Sequence, residues 1–169
     1  MSSPRVLLLG GHGKVSQLLT PLLLQKGWSV TSLIRKPEQE NDILSLASKL
    51  PDTGTKPGTL DVLVDSLEAI QTEKDAKRVL AKVRPEIVIW SAGAGGKGGP
   101  EMTKKIDEIS AKAFASAAVA DQGSGVRKFL MVSHSAVCAA LPTISPYFEL
   151  LCGKLTIYVV SKGIPKLVE

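Results

Sequence analysis

The segment Leu7-Leu8-Leu9-Gly10-Gly11-His12-Gly13-Lys14-Val15-Ser16 constrains the fold more than any other part of the chain. Arg5 to Leu9 is an apolar run ending directly in glycines, which is how a strand buried on both faces reads. Val15, Leu18, Leu19, Leu22 and Leu23 then recur at helical spacing and predict the buried stripe of an amphipathic helix. Gly27 is the expected C-terminal cap, and Pro21 is expected to bend the helix slightly. Gly10 permits a sharp strand-to-helix turn. Gly13 has no side chain, so a pyrophosphate can approach the backbone. The helix N-terminus offers free N–H donors and a partial positive charge. Ser16 stands where a third glycine is expected, and it is small enough for close helix-strand packing. The competing reading is a tight turn without a ligand. A strand before the glycines and a striped helix after them is the context that favours the ligand.

The same alternation continues downstream. Trp28 to Ile34 reads as a second strand, Glu40 to Lys49 as a helix, and Pro51 to Thr59 as a loop. Leu60 to Val64 reads as a third strand. Glu73 to Val83 reads as a helix with Ala76, Val79, Leu80 and Val83 on one face, broken by Pro85. Glu86 to Trp90 is the fourth expected strand. Glu101 to Ala120 is a long helix with Ile106, Ile109, Ala113 and Ala117 inward. Val126 to Val132, ending at Ser133, is the fifth strand. Strands alternating with helices predict an α/β, three-layer, doubly wound parallel sheet of Rossmann type. The expected sheet has five strands with helices on both faces. After Ser133 the pattern weakens, and Val137 to Leu141 and Phe148 to Val160 are apolar without a clean period.

Three further motifs carry chemistry. Arg35 ends the second strand, where a site for NAD places Asp or Glu on the ribose hydroxyls. A guanidinium there can grip the 2′-phosphate of NADP with paired, charge-assisted hydrogen bonds, so NADP is expected and NAD less so. The bland alternative is a solvated surface charge. Ser91-Ala92-Gly93-Ala94-Gly95-Gly96-Lys97-Gly98-Gly99 follows the fourth strand. It fails as a Walker A loop, because Ser91 replaces the first glycine and Gly98 follows the lysine. By position it borders the ribose and nicotinamide, with Lys97 either on phosphate or substrate, or solvated. Finally, Tyr158 and Lys162 are four residues apart, so a helix would put them on one face. A nearby ammonium favours the phenolate, which would suit Tyr158 to act as general acid or base toward a carbonyl or alcohol. Ser133 or Ser135 could hydrogen-bond the same oxygen. A packed tyrosine beside a solvated lysine is the alternative, and Ile157 to Val160 also looks strand-like.

Composition narrows the class. The chain has 169 residues and suits one α/β domain, taken as residues 1–169 with a core at 5–135 and an atypical tail at 136–169. The net charge is +5, but Lys and Arg are scattered and aromatic content is only 4%, too low for base-stacking platforms. No nucleic acid is therefore expected as a partner. Cys138 and Cys152 form no metal-ligand pattern and read as buried thiols in a reducing compartment. His12 and His134 have no carboxylate at metal-ligand spacing, so no metal is assigned. No secretory signal is visible and no run reaches the roughly 18 apolar residues of a membrane span. A cytoplasmic protein without membrane contact is expected.

The chain resembles the atypical short-chain dehydrogenase/reductase family, in particular its single-domain NmrA-like and flavin-reductase-like members and a fungal branch among them. The resemblance rests on Gly10-Gly11-His12-Gly13-Lys14-Val15, Ile34-Arg35-Lys36-Pro37, Trp90 through Gly98, and Lys128-Phe129-Leu130-Met131-Val132-Ser133. It implies an NADP-preferring Rossmann domain. The cofactor would lie on Gly10, Gly11, His12, Gly13, Lys14, Val15 and Arg35, and on Ser91, Ala92 and Gly93. It also implies that Asp65 and Ser66 lie near the adenine. Family reductases use a tyrosine and lysine on the helix after strand five and a serine at that strand's end; Tyr158, Lys162 and Ser133 match by type and approximate spacing. Residues 134–169 have little family character, and the chain ends where members continue, as a C-terminal truncation would produce. Three readings follow: an NADP(H)-dependent oxidoreductase with an unknown small substrate, a dinucleotide-binding sensor without turnover, and a truncated product that would leave a sheet edge exposed.

Overall fold

A computed structural model describes residues 3–50, 56–94, 98–120, 125–134 and 155–161. The elements run β1 (Arg5–Leu9), α1 (Lys14–Gln25), β2 (Ser29–Ile34), α2 (Glu40–Ser48), β3 (Leu60–Val64), α3 (Glu73–Val83) and β4 (Ile87–Trp90). They continue with α4 (Gly99–Thr103), a π-helical segment (Lys104–Ser110), α5 (Ala111–Ala120), β5 (Lys128–His134) and β6 (Leu155–Ser161). Short 3-10 turns occupy Pro37–Gln39 and Leu67–Ala69.

The sheet order is β3-β2-β1-β4-β5-β6. The first five strands are parallel, as the alternating pattern predicts. β1 lies between β2 and β4, and helices cover both faces of the sheet there, so Val6, Leu7, Leu8 and Leu9 have no exposed surface. Their side chains alternate between two cores. Leu7 and Leu9 join Val88, Trp90 and Phe129 against Val79 and Leu80 of α3 and Phe114 of α5. Val6 and Leu8 join Val30 and Ile89 against Leu23 and Leu24 of α1. Trp90 and Phe114 meet with ring centroids 6.0 Å apart and planes tilted by 53°.

Four expectations need correction. First, the α1 stripe is rotated: Ser16, Thr20, Leu23 and Leu24 are buried, whereas Leu18 is 73% and Leu22 54% exposed. The turn sets this rotation. Ser16 Oγ donates to Gly10 O at 2.8 Å, which brings the small side chains of the helix onto the strand. Second, the long helix is not uniform. Its Lys104–Ser110 stretch is π-helical, although Ile106, Ala113 and Ala117 are buried as expected. Third, the five parallel strands stand as expected but do not end the sheet, because β6 lies antiparallel to β5 at its edge. Fourth, Tyr158 lies within β6, opposite Met131, and so not on a helix. Leu155–Ser161 is rich in β-branched residues, which pack well on a pleated surface, and here that preference outweighs the helical spacing. Lys162 lies outside the described residues. Among the described residues, no helix is long and apolar enough to cross a membrane.

Candidate functional site

The sheet order reverses at β1. Leu9 pairs with Leu33 on one side and Trp90 on the other, so Gly10, Ile34 and Ser91 emerge together at the carboxyl edge. The crossovers that leave β1 and β4 run to opposite faces of the sheet, and a crevice opens between them. A cleft of about 730 Å³ lies there. Its walls include Gly10, Gly11, His12, Gly13, Lys14, Arg35, Asp65, Ser91, Ala92 and Gly93. Val15, in the first turn of α1, and Ser66, behind Asp65, are not among the lining residues.

The glycine turn is built so that no side chain would fit. Gly10 has φ +83°, and a Cβ there would lie 2.6 Å from Ala92 Cα. A Cβ on Gly11 would overlap the buried Ser32 hydroxyl, which has no hydrogen-bond partner among the described residues. Backbone bonds hold the turn closed: Gly11 N–H donates to Leu33 O at 2.8 Å and Gly13 N–H to Gly10 O at 2.9 Å. Gln17 Nε2 donates to His12 O at 2.8 Å. The N-terminus of α1, by contrast, is left open. Its N-cap Gly13 has no side-chain partner, and no acidic residue stands in the first turn. Those unpaired N–H groups, with Lys14 beside them, suit an anion. A backbone cradle free of Cβ atoms, at an uncapped helix start, fits a pyrophosphate.

The rim beyond β2 and β3 is charged. Arg35 is the first residue past β2, and its side chain is 58% exposed. Its Nη1 donates to Glu68 Oε1 at 3.3 Å. Asp65 has partners of its own: Oδ1 accepts from Ser66 N–H at 2.8 Å and Oδ2 from Arg78 Nη2 at 3.2 Å. His12 Nε2 lies 3.2 Å from Asp42 Oδ2, which links the turn to α2.

The far wall is the loop after β4, together with Met102 and Ile106. Ala94 N–H donates to Asp107 Oδ1 at 3.0 Å. Burial pushes the Asp107 carboxyl above its ordinary range, against the opposing effect of that bond. One helical turn on, the Ser110 hydroxyl lies 2.6 Å from Leu67 O and 2.7 Å from Ile70 O. The π-helical segment therefore ties the Ala94 wall to the turn that carries Glu68. Glu68, Met102, Ile106 and Leu67 were not anticipated. No local sequence signal marks them, because they reach the cleft only through strand order and helix phase. Lys97 lies outside the described residues.

Of the three candidate catalytic residues, Ser133 and Tyr158 stand on the neighbouring edge strands β5 and β6, and Lys162 lies outside the described residues. Ser133 sits in β5 opposite Thr156, two positions along the ladder from the Met131–Tyr158 pair.

Residues 10–150 match the model of the NAD(P)H-binding family. The UPF0659 protein C216.03 of Schizosaccharomyces pombe is 35% identical over 125 residues, covering 73% of this chain and 44% of that protein. This chain thus spans less than half the length of that relative. Among solved structures, a proposed NAD-dependent epimerase/dehydratase from Bacillus halodurans superposes with a TM-score of 0.62 at 26% identity. That match covers 80% of this chain and 54% of the other. A short-chain type dehydrogenase/reductase from Mycobacterium ulcerans gives a TM-score of 0.54 at 18% identity, over 70% of this chain and 47% of the other. The Bordetella bronchiseptica enzyme WbmG, solved with NAD and UDP, gives 0.55 at 20% identity, over 75% and 36%. The last two share the fold. The family match spans the glycine turn, every residue lining the cleft and strands β2 to β5, and the chain belongs to the NAD(P)H-binding family.

Proposed function

We propose that this chain holds NADP(H) in preference to NAD(H), with the 2′-phosphate against Arg35. The observation behind this reading is the residue type just past β2: a guanidinium in the cleft wall, where a carboxylate would take the ribose hydroxyls of NAD. The pyrophosphate lies on the glycine turn and the first N–H groups of α1, beside Lys14. Asp65 and Ser66 border the adenine, and Ser91 to Gly93 border the ribose of the nicotinamide half.

The nicotinamide, when bound, supplies hydride chemistry. The chain supplies binding, orientation and exclusion of water. In the leading reading the protein is an oxidoreductase of the short-chain dehydrogenase/reductase type acting on a small carbonyl or alcohol, with Ser133, Tyr158 and Lys162 handling the proton. The second reading is an NADP(H) sensor of the NmrA-like type, without turnover. It is favoured by the strand position of Tyr158, since the helical spacing that would couple it to Lys162 is absent there.

Fluorescence titration with NADPH and NADH tests the cofactor assignment. A charge-assisted bond contributes about 1.5–3 kcal/mol, so NADPH is expected to bind about tenfold more tightly or better. Arg35→Gln should erase or reverse that difference. Equal affinity of the native chain for both cofactors sinks the role of Arg35. Once a substrate is known, turnover that survives Tyr158→Phe excludes Tyr158 as the proton donor.

A further inference from the structure

We propose that Glu68 is a second determinant of cofactor choice, opposing the 2′-phosphate of NADP(H) and accepting the ribose hydroxyl of NAD(H). The inference rests on the reading of Arg35 as the 2′-phosphate ligand, and goes beyond it by assigning the residue that competes for that guanidinium.

Glu68 stands on the 3-10 turn Leu67–Ala69, not at the end of β2. Its carboxylate nevertheless reaches Arg35, at 3.3 Å, and both side chains line the cleft. The turn that carries it is well anchored. Leu67 is buried, and the carbonyls of Leu67 and Ile70 both lie within hydrogen-bond distance of the Ser110 hydroxyl. Glu68 is thus held where a phosphate on Arg35 would meet it.

The neighbouring carboxylate differs. Asp65 N–H bonds to Ile34 O, so Asp65 sits beside Arg35 on the sheet edge. Its carboxylate is occupied by Arg78 and by the Ser66 N–H, so its charge is compensated within the rim. Glu68 has Arg35 itself as its partner. Any group that takes Arg35 must displace Glu68 or share the guanidinium with it.

Two effects of Glu68 then compete. The ion pair orients Arg35, which would favour phosphate binding. The carboxylate also repels a phosphate bearing a charge of about −1.5 to −2 at neutral pH. Orientation by a half-exposed ion pair contributes little. Repulsion between a carboxylate and a near-dianion a few ångströms apart is the larger effect. With NADH the sign reverses. The ribose hydroxyl donates to the Glu68 carboxylate, and Arg35 keeps its partner. The site therefore carries one determinant for each cofactor, and Glu68 moderates the preference that Arg35 creates.

The test is a titration at low ionic strength, with NADPH, NADH and adenosine 2′,5′-bisphosphate as probes, on the native chain, Glu68→Gln and Arg35→Gln. Glu68→Gln keeps the size and an acceptor oxygen and removes the charge. It should tighten NADPH and the bisphosphate by about three- to tenfold and weaken NADH, with the change shrinking as salt is added. If Arg35→Gln weakens NADPH but Glu68→Gln leaves the NADPH-to-NADH ratio unchanged, the role of Glu68 is overturned and that of Arg35 stands. If neither substitution alters the ratio, the Arg35 assignment falls as well. Tighter NADH binding in Glu68→Gln likewise overturns the proposal. Glu68 is a partly exposed turn residue, so the variant should keep the melting temperature of the native chain within a few degrees.

Discussion

Helices α1 and α3 are both crossovers of the same sheet, packed on opposite faces, and their first turns are built in opposite ways. α3 is closed by its own side chains. Thr72 Oγ1 accepts from Asp75 N–H at 3.3 Å, and Asp75 Oδ2 accepts from Thr72 N–H at 3.0 Å. Its rotation follows its apolar residues, with Ala76, Val79 and Leu80 against the sheet. α1 starts at a glycine without a side-chain cap, and its N–H groups remain for a ligand. Its rotation follows the turn, so Ser16 and Thr20 face the sheet while Leu18 and Leu22 face outward. One helix start is capped for stability, and the other is left open at the cleft, where the proposed cofactor site needs it. The backbone bonds that shape the site override the hydrophobic pattern nearby.

The largest expected effect comes from filling the cradle of α1. Gly10→Val places a β-branched side chain at φ +83°, against the Ala92 backbone. Left-handed strain costs about 1–3 kcal/mol, and backbone overlap adds to it, so a loss above about 4 kcal/mol is expected. Denaturant unfolding would measure it, and NADPH titration should show no binding. A stable variant that binds normally would mean that the turn does not shape the cleft.

Next in size is a paired leucine experiment on the two helices. Leu80 on α3 is 2% exposed, and Leu80→Ala should cost about 2–5 kcal/mol. Leu22 on α1 is 54% exposed, and Leu22→Ala should stay within about 0.5 kcal/mol. Comparable losses would return α1 to the rotation its apolar spacing predicts.

That spacing shows where the chain could be read in advance and where it could not. β1 and β3 keep the bounds expected from their apolar runs, and β2, β4 and β5 shift by one or two residues at their ends. Buried parallel strands carry continuous apolar runs, and such runs are strong signals. The glycine turn is legible for a different reason, since its residue types alone permit the positive φ and the close backbone approach seen there. β6 was obscure because Tyr158 and Lys162 satisfy a helical spacing that carries no information about phase. Glu68 was invisible. Its role depends on the 3-10 turn after β3 coming to rest beside the end of β2, which is a fact of register and not of local sequence.

A smaller loss than that of Leu80→Ala isolates the cap of α3. Thr72→Ala removes the side chain that accepts from Asp75 N–H and donates to Asp75 Oδ2 at 2.6 Å. The expected cost is about 1 kcal/mol, with NADPH affinity unchanged, because α3 does not line the cleft. A pH series sharpens the point. The side-chain hydrogen bond from Thr72 holds the Asp75 carboxyl below its ordinary value, with the Thr72 N–H acting in the same direction. A carboxyl whose pKa is lowered by folding stabilises the native state while it is ionised. Its contribution is present at neutral pH and is lost as pH falls through the lowered pKa. The gap between native chain and Thr72→Ala should therefore be full near neutrality and narrow in acid. A gap that widened in acid would mean that the cap works through the protonated carboxyl, opposite to the sense the geometry requires.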